Sequence, residues 1–114
     1  MLTIDELKKY GADTATGLMR CVNKESLYLR LVKTVPSHAH FNELYLAIES
    51  HDFEKGFQAA HGLKGVTMNL ALTPLSEPIE KITELLRAKQ DVDYSALLKQ
   101  IEDARRALEE ICKD

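Results

Sequence analysis

Apolar side chains recur at intervals of three and four along almost all of this chain, and prolines interrupt the pattern only at Pro36, Pro74 and Pro78. That interval lines up one side of an α-helix, whereas the β-branched runs bounded by turn dipeptides that mark strands are missing. An all-α fold follows. Thr3 followed by Glu6 has the form of a capping box and opens a short helix to about Tyr10, closed by Gly11. Asp13 caps a second short helix to about Cys21, with Gly17 inside it, and a third runs from Lys24 to Lys33, ended by Val35-Pro36. Ser37 then caps a helix to about Ser50, and Asp52 caps the next, which continues to Leu70 or Leu72. Thr73 and Pro74 supply an N-cap and first helical residue for a helix to about Lys89, with Pro78 near its first turn. Asp91 or Asp93 opens the last helix, where Leu97, Leu98, Ile101, Ala104, Leu108 and Ile111 form one face. Four long helices with short connections predict an up-down antiparallel four-helix bundle, the short amino-terminal helices packing across it.

At 114 residues the chain is read as a single domain over residues 1–114. With 45% apolar residues it is able to hold a core without metal or disulfide support. Fifteen basic against eighteen acidic residues leave a formal charge of -3, which argues against a nucleic-acid module and its strong positive field. Apolar runs fall far short of the ~20 residues that span a bilayer, and the start, Met1-Leu2-Thr3-Ile4-Asp5-Glu6, has neither basic residues nor an apolar signal core. The expectation is a cytoplasmic protein that binds no membrane. Cys21 and Cys112 lack metal-ligand spacing and read as reduced thiols.

The helix opened by Asp52 carries the informative chemistry. Gly56, Gly62 and Gly65 lie in a segment whose flanks demand a helix, and each costs about 0.5–1 kcal/mol relative to Ala in a helix interior. A step of ~100° per residue puts Ala59, Leu63, Val66 and Leu70 on one face and His61 on the opposite, outward one. Gly65 falls one turn after His61 on the same side. Because helical side chains lean toward the amino terminus, a Cβ at 65 is expected to lean over the imidazole, so glycine leaves it accessible. Lys64, at i+3, is placed to bring an ammonium to an anion held on a ring nitrogen. An accessible imidazole with a cation beside it and no acid or hydroxyl partner in its own motif suits phosphoryl acceptance rather than hydrolysis. Free imidazole, with a pKa near ~6.5, is largely neutral at pH 7 and offers a lone pair. Phosphoryl transfer then needs mainly positioning and charge neutralisation.

The run His61-Gly62-Leu63-Lys64-Gly65, continuing to Thr67, Asn69 and Leu70, resembles the His-x-Leu-Lys-Gly signature of histidine-containing phosphotransfer (HPt) domains. Ala71 stands where that family often has Gly. The resemblance implies a helical bundle in which His61 is the phosphoryl acceptor, Lys64 the charge-stabilising neighbour and Gly65 the residue that leaves room for a receiver domain. It further implies a carrier that binds no ATP and exchanges phosphoryl groups with response-regulator receivers, whose own Mg²⁺ holds the phosphoryl oxygens, or with hybrid histidine kinases. No intrinsic cofactor is expected, and no metal.

Phe57 at i−4 and Met68 at i+7 project on nearly the same face as His61 and are read as an apolar docking patch, Phe57 being equally suited to packing under the amino-terminal helices. Reflecting the helical hairpin about residue 72 puts His61 beside residue 83, which leaves Glu80, Thr83, Glu84 and Arg87 as alternatives for orienting the imidazole. His38, His40 and His51 are read as solvated surface groups, since i, i+2 spacing does not bring side chains together on a helix. The facing Glu-x-x-His pairs of a bundle metal site are absent, as are P-loop, GxSxG and HExxH patterns. The rival to a carrier is a scaffold or inhibitor that docks a receiver without being phosphorylated.

Overall fold

A computed structural model describes residues 1–113. The described chain is all-helical, as expected: α1 (Ile4–Tyr10), α2 (Thr14–Arg20), α3 (Glu25–Lys33), α4 (His40–Glu49), α5 (Phe53–Asn69), α6 (Thr73–Arg87) and α7 (Ser95–Cys112). Three predicted caps form as read. The Thr3 side chain accepts from the Glu6 amide and Gly11 closes α1 in the left-handed region at φ 112°. Asp13 accepts from Thr16, and Asp52 from Lys55.

Two other helix starts are corrected. Ser37 does not cap α4: the His38 amide donates to the Val35 carbonyl, so the chain is still turning there, and the helix begins at His40 with Ala39 before it. Thr73 is the first residue of α6 rather than its cap, because the Leu72 carbonyl already accepts from Leu75 and Ser76. Pro78 lies in the second turn, buried, and its missing N–H leaves the Pro74 carbonyl without the usual helical donor. At the start of α7, Asp93, one of the two residues expected to open it, accepts from the amide and hydroxyl of Ser95 at 2.9 and 2.6 Å, with the buried Tyr94 directly before the helix.

α5 packs against both α4 and α6, and α6 against α7. Contact order fixes the directions. A Cβ at Gly56 would rest against Ala47, whereas one at Gly62 would meet His40, so numbers fall along α4 as they rise along α5. Lys64 pairs with Glu84 and Phe57 lies under Arg87, so α5 and α6 also run oppositely. On α7, Tyr45 donates to Glu102 at 2.8 Å while Arg105 covers Phe41 and donates to the Pro36 carbonyl, which gives α4 and α7 the same opposed sense.

Buried side chains from every part of the chain share one core, including Leu2 and Leu7 near the start, Tyr28 and Val32, Phe41 and Leu44, Leu63, Ile79 and Ile82, and Ile101 and Leu108. Gly17 is explained by Tyr28: a Cβ there would lie 2.5 Å from the phenol oxygen, which donates to the Leu70 carbonyl at 2.9 Å. That contact carries α3 onto the end of α5. The Asp13 amide donates to the Ala71 carbonyl, and an Arg20 guanidinium N–H to that of Met68, so the amino-terminal segment holds the same end. No helix among the described residues is long and apolar enough to cross a membrane.

Candidate functional site

Small residues set the seating of α5. Gly56, Ala59, Ala60, Leu63 and Thr67 are buried along one side, and the Thr67 hydroxyl closes on the Leu63 carbonyl at 2.8 Å so that its polar oxygen is not orphaned. The expected inner face thus includes Ala59, Leu63 and Leu70, but it is centred nearer Ala60 and Thr67, with Val66 only half-buried. His61 consequently sits on the outer side, exposed.

The imidazole is held by stacking. Its centroid lies 5.6 Å from that of Phe57 with the rings inclined by 25°. Phe57 is half-buried against the core, so the aromatic ring one turn before His61 is both a packed residue and the histidine's immediate neighbour. Arg87 reaches across from α6, its guanidinium carbon 4.9 Å from the Phe57 centroid. Lys64, half-buried, has its ammonium 3.9 Å from Glu84. The second carboxylate oxygen of Glu84 is 3.4 Å from Arg87. One carboxylate therefore lies between two cations, and one of them, Arg87, lies over the ring on which the histidine stacks.

Of the four alternatives for orienting the ring, none donates to or accepts from it among the described residues. Thr83 is fully buried and its hydroxyl is committed to the Ile79 carbonyl at 2.6 Å. Glu80 is exposed on α6. Glu84 and Arg87 act on Lys64 and Phe57 instead.

Gly65 is exposed, and a Cβ built there meets nothing within 4 Å. The expected lean of such an atom over the His61 ring is therefore not found: the imidazole stacks back toward Phe57, away from position 65. A side chain at position 65 would project into open space. Beside Gly65 runs a shallow groove lined by Leu31, Thr34, His38, Val66 and Asn69. Met68, 39% exposed, adds apolar surface one turn further on.

Gly62 has a different reason. A Cβ there would fall 2.7 Å from Cδ2 of His40 and 2.9 Å from its Nε2, so glycine lets the α4 histidine press against the helix next to His61. His40 and His38 are corrected from solvated groups to a half-buried pair. Their ring centroids are 4.6 Å apart, His40 donates its amide to Nδ1 of His38, and its own Nδ1 is 2.7 Å from Glu43. The i, i+2 argument fails because α4 starts only at His40, so the two residues do not share a helix. His51 is exposed, with Asp91 4.0 Å away. No group of three or more His, Cys, Asp or Glu among the described residues is arranged to hold a metal ion.

No curated protein and no solved structure gives a significant match to the chain. A family model does, that of the Hpt domain, over residues 36–111, a span that runs from the turn before α4 to the last turn of α7 and contains the whole histidine face of α5. On that match across two thirds of its length, the chain belongs to the Hpt domain family.

Proposed function

We propose that this protein is a phosphorelay carrier in which His61 accepts a phosphoryl group from the phosphoaspartate of a receiver domain, or from a histidine kinase assembly, and passes it to another receiver. Hpt domains work in phosphotransfer within two-component signalling, as carriers between receivers and kinases. What most supports His61 as the acceptor is its exposure on α5 beside a position, Gly65, where a side chain would occupy open space. In the tautomer that keeps its proton on Nδ1, the Nε2 lone pair of His61 attacks phosphorus. The N–P bond forms as the bond to the aspartyl oxygen breaks, the receiver regains a carboxylate, and the Nδ1 proton is free to leave to water. Lys64 supplies positive charge to the phosphoryl oxygens from one turn away, while the receiver's own Mg²⁺ holds them from the other side. Phe57 and Met68 give the partner an apolar surface around the ring, which helps exclude water.

The reading treats residues 1–114 as one domain. In support, Leu2, Leu7 and Tyr28, outside the family match, share the buried core with Leu63 and Leu108 inside it. A cytoplasmic location goes with it.

Incubation with a receiver domain loaded from acetyl phosphate tests the proposal. Acid-labile, base-stable label is expected on the protein and is expected to vanish in His61→Gln. Label that persists in the variant removes His61 from the role, and receiver binding without any label favours a scaffold.

A further inference from the structure

The cluster on α5 and α6 holds one carboxylate between two cations, and that arrangement implies an exchange of partners. We infer that Arg87 is a second phosphate-holding cation beside Lys64, and that Glu84 is the counter-ion holding both in place until a phosphoryl group on His61 draws them away. The inference rests on His61 being the phosphoryl acceptor.

The geometry carries three parts of the argument. Glu84 stands 3.9 Å from Lys64 and 3.4 Å from Arg87, too far for short charge-assisted hydrogen bonds, so neither cation is locked. The carboxylate of Glu84 and the guanidinium of Arg87 are both exposed, and pairs of this kind are weak enough to be traded for a stronger anion. Arg87 already lies over Phe57, and Phe57 already lies against His61, so the guanidinium is one ring away from the imidazole. A phosphoryl group carries about −1.5 to −2 charges near neutral pH against the single charge of a carboxylate. Its oxygens also suit the guanidinium fork better than they suit a point charge. Between the empty and the loaded protein, Lys64 and Arg87 change partner, and Glu84 is left facing a like charge. It thereby raises the energy of the loaded state and favours onward transfer. Glu84 is a positioning residue in this account, acting through the two cations.

Phosphoramidate loads the histidine without any partner protein. The Nε2–phosphorus bond forms as the phosphorus–amine bond breaks, and the amine leaves as ammonia with the proton given up by the ring. Two readouts follow on the intact chain, with retained helicity as the check on folding. In ¹⁵N-arginine NMR, the Arg87 Nε–H signal is expected to move on loading and to stay put in His61→Gln treated in the same way. In a ³¹P titration of the loaded protein, Arg87→Gln is expected to raise the phosphohistidine midpoint by about 0.3–0.7 pH, a two- to fivefold change on the scale of one exposed charge pair. Arg87→Lys is expected to restore most of it, and Glu84→Gln to lower it. An Arg87 signal that does not respond to loading, or a midpoint indifferent to Arg87→Gln, overturns the exchange and leaves the carrier function standing. If no label appears that His61→Gln removes, the acceptor assignment falls and the exchange falls with it.

Discussion

Gly65 is a position where the free protein gains nothing from glycine. A Cβ there touches no atom within 4 Å, and the residue lies inside a continuous helix from Phe53 to Asn69. Gly65→Ala is therefore expected to stabilise the isolated protein by about 1 kcal/mol, read as a rise in thermal midpoint, while slowing phosphoryl transfer from a receiver. The two effects have opposite signs only if the vacancy serves a partner. A variant that is more stable and transfers at the original rate shows that position 65 is not in the contact. Gly62 makes the contrast within the same motif, since a methyl group there would strike the His40 ring at 2.7 Å and the glycine serves the fold itself. The angle along the helix singles out Gly65 beside His61 but offers no reason for Gly62. That reason is a ring from α4, and no local pattern encodes its approach.

At the scale of an element, the end of α5 holds a conformational cost that the motif hinted at. Ala71 has φ 54°, in the left-handed region where an L side chain is strained, and it is the position where the family's signature often carries Gly. Ala71→Gly is expected to raise stability by about 1 kcal/mol in denaturant unfolding, provided the Asp13 amide keeps its bond to the Ala71 carbonyl. No gain would mean that the turn relaxes in solution. Helix boundaries were legible wherever a cap is made by one side chain and the amide three residues on, as at Thr3, Asp13 and Asp52. They were misread at Ser37 and Thr73, where the start depends on which carbonyl the preceding turn has already engaged. The candidate site divides the same way. His61, Lys64 and Gly65 lie on one helix and could be placed by angle alone. The hairpin reflection brought Glu84 and Arg87 into the neighbourhood, but their pairing with Lys64 and Phe57 depends on side-chain reach across two helices.

For the molecule as a whole, four phenols set an alkaline limit, Tyr94 among them, raised by burial and then by Asp91. Burial pushes the Tyr28 hydroxyl up to about 12, with smaller contributions from Cys21 and Asp13. Tyr10 is raised further, by burial and then Cys112, and Tyr45 by burial and then its hydrogen bond to Glu102. In the unfolded chain such groups ionise near pH ~10. Because the folded values lie above that, their contribution to stability is complete below pH ~10 and is lost as pH rises through the folded values. The thermal midpoint is expected to fall between pH 10 and 12, and Tyr28→Phe, which has no proton to lose, is expected to flatten part of that fall. A midpoint that stays level across the range would show that these hydroxyls reach water more freely than their surroundings imply.

Tyr28, Asp13 and Arg20 lie before residue 36 in the sequence, yet each supplies a hydrogen to a carbonyl at Leu70, Ala71 or Met68. Truncating the chain to the family-matched span would keep the histidine motif complete and strip those three donors from the terminus of its helix. The stretch matched by the family model is thus shorter than the stretch that shares the buried core, and excised alone it is expected to fray a few residues beyond His61.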